Sequence, residues 1–184
     1  MSRLVLVRHG RAAAGWGDDL DPGLDDVGRA QADAMADTVT ASLPAPLPII
    51  VSPLRRTRET AAALEARWNV AATVDPAVGE IESPTPELAE RDAWLRALMQ
   101  GAWSDVRDLA PWRRRVIDAM AAITNDSVVV SHFVAINVAV GHATGDDRVV
   151  CFVPDNCSRT VLDVDGDRFT VVELGAEVGS TKVL

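Results

Sequence analysis

Cysteine is scarce in this chain of 184 residues: only Cys151 and Cys157 occur, close together and with no other bridge partner available. That usage favours reduced thiols over a disulfide framework or a metal site. Histidine is scarce too, with three in all, and the histidines and cysteines do not fall at zinc-ligand spacing. No apolar run approaches the length of a membrane span, and the N-terminal one is far too short for a signal-peptide core. Positive charge is outweighed, with a formal net charge of -9 and an isoelectric point of about 4.7. A broad nucleic-acid or anionic-membrane surface is therefore disfavoured, and any anionic ligand needs a local cluster of cations. There is no Gly-x-x-x-x-Gly-Lys loop, no internal repeat and no low-complexity segment. These absences predict a cytoplasmic protein with neither nucleic-acid nor membrane partners; its oligomeric state is not legible.

What is present is apolar and periodic. At 48% hydrophobic content, the length suits one substantial core, so residues 1–184 are read as one domain. Leu4-Val5-Leu6-Val7 reads as a buried parallel strand, ended at once by Arg8-His9-Gly10. A small-residue loop from Arg11 to Asp19, containing Gly15, Trp16 and Gly17, follows. An Ala-rich helix is predicted over 24–42, with Asp25 and Asp26 in its first turn. Ile49-Ile50-Val51 reads as a second strand, and Ser52-Pro53 as the cap of a helix over 54–68. A third strand is expected over 70–74.

Residues of about 76–104 read as an insertion lying over the sheet, lid-like, with a helix over 87–99. Further helices are predicted over 108–123 and 134–143, the second stopped by Gly145. Between them Val128-Val129-Val130 makes a fourth strand ending in Ser131-His132. A short strand over 148–153 and a hairpin over 158–174 about Asp165-Gly166 complete the reading. Strands alternating with helices give an α/β class: a three-layer α/β/α sandwich with a mostly parallel central sheet.

Three places share one arrangement, an apolar strand followed by charged or polar residues: Arg8-His9, Ser52 with Arg55 and Arg56, and His132. In a doubly wound sheet such strand ends line one rim, where ligands bind. Arginine forks match phosphate oxygens, and phosphoryl transfer spreads charge that fixed cations stabilise. A neutral imidazole among them is a competent nucleophile toward phosphorus, which points to His9. The leaving oxygen needs a proton. Glu80 is the best-placed carboxyl, Glu82 the second and Glu59 the third. Arg55 and Arg58 read as solvated helix-face residues, His142 as structural, and Trp94, Trp103 and Trp112 as packing.

Leu4 to Gly10, Ser52-Pro53-Leu54-Arg55-Arg56-Thr57-Arg58-Glu59-Thr60 and Ser131-His132, in this order, resemble the histidine phosphatase superfamily, with its phosphoglycerate mutase-like fold. The resemblance spans nearly the whole chain, including Asp21 to Gly28. It implies a metal-independent phosphomonoesterase, without cofactor, that acts on a phosphorylated small molecule through phosphohistidine. On that resemblance His9, Glu80 and His132 are catalytic, and Arg8, Arg56, His132 and Phe133 bind phosphate. The chain departs from the family pattern at Arg11, where Glu or Gln is frequent, and at Phe133, where Gly is common. It also lacks a loop Asn after Gly10. A mutase-type phosphotransferase, a protein-phosphohistidine phosphatase and a non-catalytic phosphate-binding module are the alternatives, all with an anion pocket at the same rim.

Overall fold

The computed structural model describes residues 1–15 and 17–179; Trp16 of the loop after the first strand lies outside the described residues. Six strands form one sheet: β1 (Ser2–Arg8), β2 (Ile49–Val51), β3 (Thr73–Val74), β4 (Ser127–Ser131), β5 (Arg159–Asp165) and β6 (Arg168–Glu173). Their order is β3-β2-β4-β1-β5-β6. The pairs β3–β2, β2–β4 and β4–β1 are parallel, whereas β5 is antiparallel to β1 and β6 to β5. Five helices accompany the sheet among the described residues: α1 (Asp26–Ser42), α2 (Arg55–Trp68), α3 (Leu88–Met99), α4 (Ala110–Ala121) and α5 (Phe133–Thr144).

The alternation along β1 explains the layers. Val5 and Val7 face a core built with Met35, Ala36 and Val39 of α1 and Ala61, Leu64 and Trp68 of α2. Leu4 and Leu6 face the opposite core, shared with Val116, Ile117 and Met120 of α4 and the apolar length of α5. Each strand residue thus buries its side chain against a helix layer, as a strand apolar on both faces requires. The result is the three-layer α/β/α sandwich expected from the sequence.

Several local expectations are corrected. Residues 148–153 form no strand; they run as an irregular segment touched only by isolated bridges, Arg148 with Ala102 and Pro154 with Glu177 at its end. Their apolar side chains Val149 and Phe152 are buried in the α4/α5 core, so apolar packing rather than sheet pairing explains the pattern. Ser52 does not cap α2, which has Leu54 at its N-cap without a side-chain hydrogen bond. The strand over 70–74 shrinks to Thr73–Val74. The β5–β6 turn, by contrast, lies at Gly166, whose φ of 58 suits a residue without Cβ.

Helix α1 begins under the strand end it supports. Asp25 caps it, its carboxylate accepting from Gly28 N–H at 2.7 Å. Gly10 and Gly28 meet back to back: a Cβ on Gly10 would stand 2.5 Å from the Gly28 carbonyl oxygen, and one on Gly28 would overlap the Arg11 carbonyl. Both obstacles are backbone, so neither yields. Alanine would gain about 1 kcal/mol of helix propensity at Gly28, but overpacking of this kind costs about 3 kcal/mol. Gly28→Ala is therefore expected to destabilise the protein by about 2 kcal/mol, read as a lower midpoint in urea with an unchanged m-value; an equal or higher midpoint would show that the approach is not tight.

Candidate active site

The C-terminal ends of β1, β4 and β2 lie side by side and are stitched by backbone hydrogen bonds. His9 N–H donates to the Ser131 carbonyl at 3.1 Å, and Ser52 N–H donates to the Val130 carbonyl at 3.2 Å. Arg8-His9, Ser52 and Ser131-His132 are thereby brought together although they lie up to 124 positions apart. Arg56 joins them from the first turn of α2.

His9 is buried, and its ring geometry fixes its proton. Nδ1 lies 2.8 Å from the Gly10 carbonyl oxygen, which only accepts, so Nδ1 carries the hydrogen. Nε2 accepts from Arg56 Nε–H at 3.2 Å, which leaves its lone pair on the guanidinium side. Burial, and after it the charges of Arg56 and Arg8, depress its pKa to about 3, against a weaker opposing effect of the Gly10 hydrogen bond. The imidazole is neutral at pH 7.

His132 stands behind it, with ring centroids 5.2 Å apart in an edge arrangement. It has no exposed surface and is not part of the cavity wall, unlike its neighbour Phe133. Its Nε2 lies 2.7 Å from Ser52 Oγ, while Nδ1 has no hydrogen-bond partner. Burial, then the neighbouring His9, Arg56 and Arg8, hold its pKa well below the usual histidine value. Arg8 gives Nη1 to the Pro154 carbonyl at 2.7 Å and lies 5.1 Å from the Phe133 ring centroid, but its buried Nε also lacks a partner.

Glu80 is half-buried and lines the cavity, accepting from Ile81 N–H at 2.9 Å. Burial raises its pKa, outweighing the Ile81 hydrogen bond and the attraction of Arg56 and Arg8. Glu82 also lines the cavity but is exposed. Glu59 is turned away: it accepts from Leu24 N–H at 2.7 Å and from Arg55 Nε at 2.7 Å. Arg55 is accordingly a helix-face residue, and His142 binds the Asp167 carbonyl at 2.7 Å far from the rim.

Sequence reasoning missed the groups that hold β1 from behind. Asn156 Nδ2 donates to the His9 carbonyl at 2.9 Å and Cys157 N–H to the Arg8 carbonyl at 3.0 Å. Thr60 Oγ accepts from Gly10 N–H at 3.0 Å while donating to the Arg56 carbonyl at 2.7 Å, tying the strand end to α2. The turn-forming Asp155-Asn156 pair before β5 was the one available signal.

Over this floor opens a cavity of about 950 Å³, walled by the 11–22 loop, the 79–86 segment, α3 and the start of α5. The excursion after β3 therefore builds one side of the site. Among the described residues no cluster of His, Cys, Asp and Glu could hold a metal ion, and no helix is long and apolar enough to cross a membrane.

In sequence, residues 4–177 match the histidine phosphatase superfamily (branch 1). The chain belongs to that superfamily. It is a phosphatase with the phosphoglycerate mutase-like fold. It is 30% identical over 155 residues to glucosyl-3-phosphoglycerate phosphatase of Mycolicibacterium vanbaalenii, which covers 82% of this chain and 68% of the relative. A mycobacterial glucosyl-3-phosphoglycerate phosphatase solved with VO3 superposes with a TM-score of 0.70 at 25% identity, covering 96% of this chain and all of that one. A phosphatase from Escherichia coli described as a putative alpha-ribazole-5'-P phosphatase shares the fold, with a TM-score of 0.73 at 17% identity over 97% and 100% of the two chains.

The depressed histidine sets a stability signature for this histidine phosphatase. Between about pH 3 and about pH 6.5 the unfolded chain binds a proton at residue 9 that the folded chain refuses. Folding stability therefore rises with pH across that window and is lost as pH falls through it. His132, depressed likewise, contributes with the same sign. Urea titrations of His9→Ala are expected to show a visibly shallower acid limb than wild type, by up to about 1.4 kcal/mol per pH unit; superimposable slopes would mean that His9 is not held neutral.

Proposed function

We propose that the chain is a metal-independent phosphomonoesterase acting on a phosphorylated small molecule through phosphohistidine at His9. One observation carries the reading: Arg8, which lines the cavity, has a buried guanidinium Nε–H without a hydrogen-bond partner beside a neutral imidazole. Unpaired buried polar groups cost free energy, and a tetrahedral anion in front of His9 would satisfy this donor. Fixed cations also supply the charge stabilisation that phosphoryl transfer needs.

On this reading a phosphoryl oxygen draws the Arg56 Nε–H away from His9 Nε2, freeing the lone pair that attacks phosphorus. Arg8 and Arg56 hold the equatorial oxygens, Phe133 braces the Arg8 plane, and His132 supports the His9 ring from behind. Nε2 forms the P–N bond as the P–O bond to the alcohol breaks. Glu80, whose hold on a proton burial strengthens, passes its proton to the departing oxygen. A water then attacks the phosphohistidine, giving its proton to Glu80 and releasing phosphate, which restores the starting state. The 76–104 excursion serves as a lid-like wall that limits solvent around the reacting groups.

His9→Ala is expected to abolish hydrolysis of an aryl phosphate, while EDTA leaves wild-type turnover intact; chelator-sensitive turnover would sink the mechanism. Trapping an acid-labile phosphoenzyme separates the enzyme from a non-catalytic phosphate-binding module. Glu80→Gln should slow esters of poor leaving groups by about a hundredfold, and those of good leaving groups far less. The same pattern in Glu82→Gln, with Glu80→Gln nearly normal, would reassign the acid.

A further inference from the structure

We propose that the cavity above the phosphate end accepts the monoester of an apolar alcohol, an alkyl or aryl phosphate, in preference to a phosphorylated sugar or an ester bearing a second acidic group. This names the substrate class of the site and rests on the phosphatase reading above. The cavity, at about 950 Å³, is far larger than one phosphoryl group, so most of it surrounds the leaving alcohol. Each of its walls contributes apolar side chains. Leu20 and Pro22 come from the loop before α1, Ile81 and Leu95 from the excursion, and Phe133 and Val134 from the start of α5.

The polar side chains in these walls are turned to their own loops. Thr85 Oγ donates to Glu90 at 2.8 Å, Ser83 Oγ accepts from Thr85 N–H at 3.3 Å, and the Asp19 carboxylate accepts from Asp21 N–H at 3.1 Å. Sugar hydroxyls stripped of water here would find few partners, and buried unmatched hydroxyls are costly. Asp19 and Glu82 place two carboxylates in the wall, which oppose a second anionic group on the ligand. Arg91 of α3 adds one cation to the wall, which Asp19 and Glu82 together outnumber. At the mouth Leu20 is 62% exposed, an apolar surface that an apolar ligand would cover.

A series of n-alkyl phosphates from methyl to hexyl tests this, because the leaving groups have nearly equal basicity and differ only in what they bury. We expect kcat/KM to rise by two- to about fourfold per methylene, the upper figure corresponding to about 0.8 kcal/mol for full burial of each. Hexyl phosphate should exceed glucose 6-phosphate and 3-phosphoglycerate by about tenfold or more. A flat series, or either polar ester matching hexyl phosphate, would overturn the proposal. Leu20→Asp should lower the hexyl-to-methyl ratio by about threefold or more; the ratio is independent of the folded fraction, and an unchanged value overturns the assignment of this wall. Acid-labile phosphate on His9 separates the two ways of failing. Label with a flat series overturns the apolar leaving group alone, whereas neither label nor turnover with any ester overturns the phosphatase reading beneath it.

Discussion

Two guanidiniums and an imidazole share one small buried volume, and mutual repulsion together with lost hydration keeps the imidazole unprotonated. A protonated His9 would have no lone pair to offer. The surrounding structure can be understood as what it takes to hold those three groups in place without a bound anion. The Gly10 carbonyl fixes the tautomer, Arg56 Nε–H bonds to His9 Nε2, and Pro154 and Phe133 anchor Arg8. Glu80 is near enough to be attracted by both arginines, yet burial outweighs that attraction and raises its pKa, which favours the protonated form that can donate.

The layered fold and the rim were legible because they rest on short-range chemistry. A run such as Leu4 to Val7 has few alternatives to a strand buried on both faces, and Arg8-His9, Ser52 and His132 each sit one step past an apolar run. Parallel pairing of β2, β4 and β1 then brings those steps together without further instruction. The depth of each residue was not legible. His132 lies under the floor and Phe133 in the wall, although they are adjacent, since the start of α5 turns one inward and the other outward. Ser52 reads as a cap by its neighbours, but His132 claims its hydroxyl. Residues 148–153 carry strand-like side chains but bury Val149 and Phe152 against α4 and α5, so packing decides their form. The backbone contact of Cys157 N–H with the Arg8 carbonyl leaves no trace in residue type, and the side chains of Asn156 and Thr60 reach backbone groups far off in sequence that no local pattern names.

The division between floor and walls separates reaction from recognition. Arg8, His9 and Arg56 project from strand ends and a helix start, the rigid parts of the sandwich, whereas the walls come from a loop and from an excursion between β3 and α4. Proteins that share this fold are named for different substrates.

The antiparallel run of β5 has a temporal consequence. Because β5 enters the sheet from the rim end of β1, the turn before it closes on that strand end: Arg8 and His9 are held by Pro154, Asn156 and Cys157. These clasps come from 146 and 147 positions downstream. A growing chain therefore carries Arg8 and His9 without them until residues 154–157 have left the ribosome, and the environment that tunes the imidazole forms only then.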